Sequence, residues 1–392
     1  MKKAIFNSYS LVIVLFYTAM LFWWILLFIK HSINTKENYV FGLAIGLLSV
    51  IGSLIGIFRS KKWNFFKSVI SKSVLFLSLG ILTWGIGTVI FAYYNLYLNI
   101  EVPYPSLADA AYIISWPLWV IGMFYFLKVL GVKYRLKNTI GKLFLVIIPL
   151  VAIVISYYLL FIVARGGLIN FSNGNLKLFF DLAYPIGDIV IITFTVLIYS
   201  FSLNYLGGLL KWPIFIILSG FVINYIGDFS FVYTATKETY FVANWVDLIY
   251  TTAFFLLGLG LSLLNPSLLN NIRQKSDGLL ETPDTDISDA CITGVVSILQ
   301  KIILTIIKRQ ERIAGQIAWE EAKDVPGLTV INQQKEEISL NDNSIKNFKK
   351  TIDELVGKYK KLFGDLAVDV SKDATKHLLS ELQNDQIPDS LK

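Results

Sequence analysis

Phe180-Asp181-Leu182-Ala183-Tyr184-Pro185-Ile186-Gly187-Asp188 sets two carboxylates, a tyrosine and a proline inside a run, 177–206, that is otherwise apolar enough to cross a membrane. An apolar stretch of about 20 residues spans the hydrocarbon core as a helix, and a carboxylate placed within one is costly. The core of this stretch recurs as Asp109-Ala-Ala-Tyr112, Asp181-Leu-Ala-Tyr184 and Asp247-Leu-Ile-Tyr250, each opening a long apolar segment. Residues three apart share a helix face. Three acid–tyrosine faces are therefore expected, and their convergence would make one polar centre.

Working outward, the composition agrees with a membrane chain: 55% hydrophobic, 15% aromatic and only 16% charged. Eight spans are expected, near 9–29, 39–58, 69–93, 109–130, 141–163, 177–206, 212–235 and 242–264. The first is too long for a signal peptide and is followed by His31-Ser-Ile-Asn-Thr, which offers no small-residue cleavage site, so it reads as an uncleaved anchor. Lys2, Lys3, Arg59, Lys61, Lys62, Lys67, Lys128, Lys133, Arg135, Lys137, Lys142, Lys211, Arg273 and Lys275 fall on one side. Lys30, Lys36, Arg165, Lys177 and Lys237 fall on the other. The positive-inside rule then places both termini in the cytoplasm and the chain in the cell membrane.

The net charge of +7 does not point to nucleic acid, because residues 309–392 carry more acids than bases and the basic excess sits in the loops between spans. The lone Cys291 excludes a disulfide framework, and two histidines, His31 and His377, cannot build a histidine-rich metal site. Neither Gly141-Lys142 nor Gly357-Lys358 has the upstream glycine of a phosphate-cradling loop. No cofactor is expected.

The expected organisation is an eight-span membrane domain over 1–265 with helix-hairpin repeats, a polar linker over 266–289, an amphipathic coupling helix over 290–323 and a small cytoplasmic α+β domain over 324–392. Ile292, Leu299, Ile306 and Ile313 recur every seven residues with apolar pairs between them. That is the seam of a coiled coil, and it predicts a homodimer. A ninth span here would have to bury Lys301. Beyond it, Leu328–Ile331 and Glu337–Leu340 read as a hairpin, followed by amphipathic helices over 344–362 and 365–382.

Two readings of the acids compete. Asp109, Asp181 and Asp247 open helices that run from outside to inside, where a carboxylate caps free N–H groups and opposes the helix dipole. Their tyrosines would then be interfacial. Asp188 and Asp228 are harder to explain in that way. Asp188 lies two turns inward of Asp181, and Asp228 sits at similar depth on the antiparallel seventh span, with Asn224 one turn away. No basic residue within a span is near them, since Lys72 lies at the other end. Gly187 and Gly227 precede them and leave room for close helix approach. The candidate ligand-binding set is Asp188, Asp228 and Asn224 with Asp109, Tyr112, Asp181, Tyr184, Asp247 and Tyr250.

Pro105-Ser106-Leu107-Ala108-Asp109-x-x-Tyr112, Asp181-Leu-Ala-Tyr-Pro-Ile-Gly-Asp188 and the Asp247-Leu-Ile-Tyr250 helix resemble the multi-span sensor region attached to bacterial diguanylate cyclases and sensor kinases. The resemblance covers about residues 40–265. It implies a sensory membrane domain and carries neither cyclase nor kinase activity, because no Gly-Gly-Asp-Glu-Phe signature or kinase core follows. The expected function is a receptor-like signalling protein in the bilayer. It would detect a small ligand, cation or proton in an outward-opening acidic pocket and report to a cytoplasmic signalling partner. A proton- or ion-coupled transporter is the first alternative. Tyr225-Ile-Gly227-Asp228 is partly similar to presenilin-type aspartyl proteases but lacks the first glycine of Gly-x-Gly-Asp. A retinal protein would need a lysine in the last spans, and they contain none.

Overall fold

The computed structural model describes residues 7–131, 139–167, 175–205, 207–265, 291–342 and 344–392, with backbone alone at 203–205 and 291–293. The linker expected over 266–289, the side chain of Ile292, and the bases Lys2, Lys3, Lys133, Arg135, Lys137, Arg273 and Lys275 lie outside that description.

Among the described residues, eight helices are long and apolar enough to cross a membrane. They are α1 (Ser8–Ile29), α2 (Lys36–Lys62), α3 (Val69–Tyr93), α4 (Leu107–Val129), α5 (Thr139–Ser156), α6 (Asn175–Tyr205), α7 (Lys211–Thr236) and α8 (Trp245–Leu263). The chain is an all-α multi-pass membrane protein. α3 and α5 run on as wide π-turns to Leu98 and Val163, which lengthens both spans.

The helix starts follow local side-chain chemistry. Asn7, Thr35 and Ser106 each cap the free N–H groups of α1, α2 and α4 and are capped in return by the residue three on, Ser10, Asn38 or Asp109. Asn244 does the same for Val246 and Asp247, so α8 starts at Trp245 and not at the expected 242.

Burial orders the bundle. In α8, 67% of the most apolar window is inside the protein, against 11% in α5, so α8 is central and α5 faces lipid on most sides. α2 lies between α3 and α8, α3 pairs with α4, α7 with α8, and α1 leans on α2 and α8. α6 joins α4, α5 and α7.

Beyond the spans come α9 (Cys291–Ala314), α10 (Ile317–Lys323), β1 (Leu328–Asn332), β2 (Glu337–Leu340), α11 (Ile345–Phe363) and α12 (Asp365–Leu379). The strands pair antiparallel with Leu328 opposite Leu340 and Val330 opposite Ile338. The heptad face of α9 differs from its sequence reading. Leu299, Ile302, Ile303, Ile306 and Ile307 are completely buried within this one chain, against α11, α12 and their neighbours. α11 brings its own apolar stripe, Phe348, Ile352, Leu355, Val356 and Tyr359, and covering both stripes inside one core removes more apolar surface than leaving a seam for a partner. The division at 323/324 also falls inside this core, for Tyr359 donates from α11 to Ala318 O on α10 at 2.7 Å. Gln310 of α9 donates to Ala367 O at 2.9 Å.

This C-terminal unit docks on the end of the bundle that carries Lys61, Lys62 and Lys67. Trp63 is buried there, its indole donating to Leu264 O at 3.0 Å, and Gly364 rests against the Trp63 carbonyl. Asn64 donates to Asp365, which also pairs with Lys360 at 3.0 Å. Those two partners hold the Asp365 carboxyl below the usual aspartate range. The second contact is backbone on backbone. Gly207, in the short connection between α6 and α7, donates to Ala314 O at the end of α9 at 3.4 Å.

Candidate functional site

At the end of the bundle opposite the docked unit, five acids from four helices gather in two tiers. The outer tier is a set of acid–tyrosine pairs. Tyr184 of α6 donates to Asp109 of α4 at 2.5 Å, and the other Asp109 oxygen accepts from Ser106 N at 2.6 Å and Ser106 Oγ at 2.9 Å. Tyr104, in the connection before α4, donates to Asp181 at 2.9 Å. Tyr240 donates to Asp247 at 3.0 Å, whose second oxygen accepts from Ala243 N at 2.7 Å. Burial first, then the facing carboxylate, pushes the phenols of Tyr104 and Tyr240 above their ordinary range.

The three Asp-x-x-Tyr faces therefore do not converge as one symmetric centre. Each acid is held by a tyrosine from outside its own pair, Asp109 by Tyr184, Asp181 by Tyr104 and Asp247 by Tyr240, while Tyr250 crosses to Asp228 and Tyr112 bonds Thr88 at 3.3 Å. The capping role expected for Asp109 and Asp247 is present, and the cross-helix bonds are added to it. The Asp109→Ala variant loses a cap, worth about 1 kcal/mol, and a bond to a charged acceptor, worth roughly 1.5–3 kcal/mol. Its unfolding midpoint in detergent micelles is expected to fall clearly, while Asp109→Asn, which keeps an oxygen for Tyr184, falls less. Equal losses would show that the Tyr184 bond contributes nothing.

Asp181 has a feature that follows from Pro185. Proline has no N–H, so the carbonyl four residues earlier, that of Asp181, is left without its helical donor. Arg165, from the connection after α5, supplies one: its Nη1 reaches Asp181 O at 2.7 Å, and its Nη2 stands 3.9 Å from the Asp181 carboxylate. A cation is thus present beside Asp181, although no basic residue within a span is expected near Asp188 and Asp228. It comes from a loop and not from a span.

The inner tier is the pair Asp188 and Asp228. Asp188, only 6% exposed, faces Asp228 and lies beside the Trp116 ring that packs on Gly187. Asp228 is part-buried and accepts from Tyr250 at 2.8 Å and from Asn224 Nδ2 at 2.8 Å. Two carboxyl groups facing each other away from water favour holding one proton between them, because two like charges there would repel. The Asn224 amide is 4% exposed, and its oxygen has no partner at all.

The glycines before both acids admit aromatic rings instead of neighbouring backbones. A Cβ on Gly187 would stand 2.6 Å from the Trp116 ring, and one on Gly227 2.9 Å from the Tyr250 ring. The Tyr250 hydroxyl bonds Asp228 and the Trp116 ring lies beside Asp188, so the missing side chains are what let these rings arrive. Trp84 packs beside them, with ring centres 5.4 Å from Tyr112, 5.5 Å from Tyr250 and 3.8 Å from Phe254. Tyr225 ties α7 to Ser156 of α5 at 2.8 Å.

Of the nine candidate residues, Asp188, Asp228, Asn224 and Tyr250 form one cluster, Asp109 and Tyr184 a second, and Asp181, Asp247 and Tyr112 bond elsewhere. Arg165, Trp116, Tyr104 and Tyr240 complete these clusters and were not in the candidate set. Pro185 carried a signal for Arg165, since a freed carbonyl inside a span requires a donor from outside the helix. A groove of about 410 Å³ lies between α4 and α6, lined by Trp116, Pro117, Phe179, Ile186 and Gly187 among others. Its lining is apolar, and the acids do not line it. Among the described residues, no cluster of three or more His, Cys, Asp or Glu side chains is arranged to hold a metal ion. No family model matches this chain, and no curated protein or solved structure is significantly similar to it.

Proposed function

We propose that this protein is a receptor-like signalling protein of the cell membrane, with both termini cytoplasmic and the acid tiers toward the outside. A small cationic ligand or a proton at the Asp188–Asp228 pair changes the packing of α6 against α7. The docked C-terminal unit, a small α+β domain, receives that change and passes it to a partner protein, without a catalytic step of its own. The heptad face of α9 is occupied within the chain, so a homodimer would have to use another surface.

One observation carries this reading. The two acids lie on consecutive helices, and the short connection between those helices is the segment that meets the end of α9 at Gly207 and Ala314. Any rotation of α6 relative to α7 that separates the acids moves that connection, because helices transmit displacement along their length as rigid rods.

Hydrogen exchange of the full chain in nanodiscs, with pH stepped across the range about 5–8 where buried carboxyls and histidines titrate, tests the relay. The expected result is a change of protection at both 184–190 and 207–211, absent in an Asp188→Asn/Asp228→Asn double variant. A response confined to 184–190 would sink the relay. A transporter has one observation in its favour, the proline inside α6 with its freed carbonyl beside buried acids. Ion flux into proteoliposomes, abolished by the same double variant, would select it.

A further inference from the structure

We infer that Asp188, Asp228 and Asn224 form an exchange site at which a proton is replaced by a small monovalent cation, sodium being the best fit. This rests on the sensor reading above and names its ligand. Asp228 takes its donors from Tyr250 and Asn224, and Asp188 faces it carboxyl to carboxyl. That contact is satisfied only while one proton lies in it. When the proton leaves, two negative groups face each other with nothing between them, and Arg165 is engaged with Asp181. A second cation has to enter in its place or the helices have to part.

The orphaned Asn224 oxygen identifies what enters. A buried amide oxygen without a donor costs about 1–3 kcal/mol, and a cation drawn between the two acids would take it as a third oxygen ligand, with the Tyr250 hydroxyl within reach as a fourth. Hard cations prefer such oxygens. Exchanging one proton for one monovalent cation leaves the net charge of the pair unchanged, so no additional charge has to be buried. Calcium asks for roughly six to eight oxygens, more than these residues offer, and magnesium asks for a rigid octahedron. Asp228 is part-exposed, which gives the ion a way in.

The titratable and charged groups facing the pair are few. α7 contributes Tyr225 besides Asp228, α8 contributes Tyr250 and, further out, Asp247, and α4 contributes Tyr112. Arg165 is the cation on the Asp188 side. The tyrosines remain neutral across the range in which carboxyls titrate, so the exchange is expected to appear as a transition of the acid pair.

The Trp116 ring lies beside Asp188 and reports on it. The full chain in detergent micelles is titrated with acid while tryptophan emission is read, once in sodium chloride and once in choline chloride of equal strength. Competition at one site moves the transition to lower pH in sodium, by about one pH unit for each tenfold rise in sodium above half-saturation. Asp188→Asn and Asp228→Asn are expected to abolish the shift. Asn224→Ala, which keeps both acids, should retain the proton transition and need several-fold more sodium to move it. Trp116→Phe should lose the optical signal while its melting temperature still rises with sodium.

Identical transitions in sodium and choline would overturn the exchange and leave a proton sensor. A shift with calcium chloride and none with sodium chloride would overturn the monovalent class. A sodium shift with no change of exchange at 207–211 would uphold the site and overturn the relay.

Discussion

Replacing Gly208 with alanine is expected to release the C-terminal unit from the membrane bundle. Gly208 has a φ of +60°, and a Cβ placed there would stand 2.3 Å from Arg312 O. Its counterpart Gly315 has a φ of +68°, and a Cβ on it would stand 2.5 Å from Gly207 Cα. The left-handed backbone costs an alanine roughly 1–2 kcal/mol on its own. The overlap is worse, because the opposing atoms are backbone and cannot swing aside as a side chain can. The strand of chain 207–210 and the end of α9 therefore have to separate. Trypsin cleavage after Arg312 should accelerate by an order of magnitude or more, and the Gly207 amide, bonded to Ala314 O, should lose its exchange protection. The control is Gly357→Ala in the middle of α11, where the new Cβ meets nothing within 4 Å. That change should stabilise the helix by about 0.5–1 kcal/mol. Wild-type cleavage and exchange in Gly208→Ala would remove the joint from the account.

The spans were legible because length and apolarity are properties of a segment on its own. α8 illustrates the limit: the apolar run begins at 242, but Asn244 supplies the cap, and the helix begins after it. The depth of Asp188 and Asp228 was also legible, since two antiparallel helices of known ends set two residues at one level. Their pairing follows from that placement. Their neighbours do not, for Tyr250 and Trp116 arrive from helices whose rotation is set by packing. Tyr104 and Tyr240 show the same ambiguity. A tyrosine at a span end is equally suited to a headgroup or to a buried acid, and its residue type does not distinguish them.

Arg165 was the costliest omission. Counted only as a loop base, it fell outside the search for a cation within spans, although Pro185 requires a donor at the Asp181 carbonyl. The seven-residue repeat of α9 is covered inside the chain for a related reason. Periodicity states that a helix has an apolar face and says nothing about which surface covers it. α11 and α12 carry stripes of the same kind, and in one chain these faces meet at far higher effective concentration than in two.

Removing the Asp228 carboxyl altogether should be the most damaging single change in the bundle. Asp228→Ala leaves the Tyr250 hydroxyl and the Asn224 amide without their acceptor and takes from Asp188 the carboxyl it faces. Breaking a buried polar pair by deleting one member costs about 3–5 kcal/mol, because the surviving group stays desolvated and unsatisfied. The second deletion should cost much less. Once Asp228 is gone, Asp188→Ala removes a group that no longer has its partner, so the two losses should fall short of additivity by roughly 0.5–3 kcal/mol. Asp181 serves as the comparison. It bonds Tyr104 and Arg165 and shares no partner with Asp228, so Asp181→Ala combined with Asp228→Ala should be additive within about 0.5 kcal/mol. Denaturation of the four variants of each cycle in one micelle system gives both numbers. Additivity at Asp188 and Asp228 would mean that the two acids act separately, and the shared proton, with the exchange built on it, would have no basis. A large coupling at that pair alone would mean that the deeper acids of α6 and α7 form one unit, separate from the acid–tyrosine pairs above them.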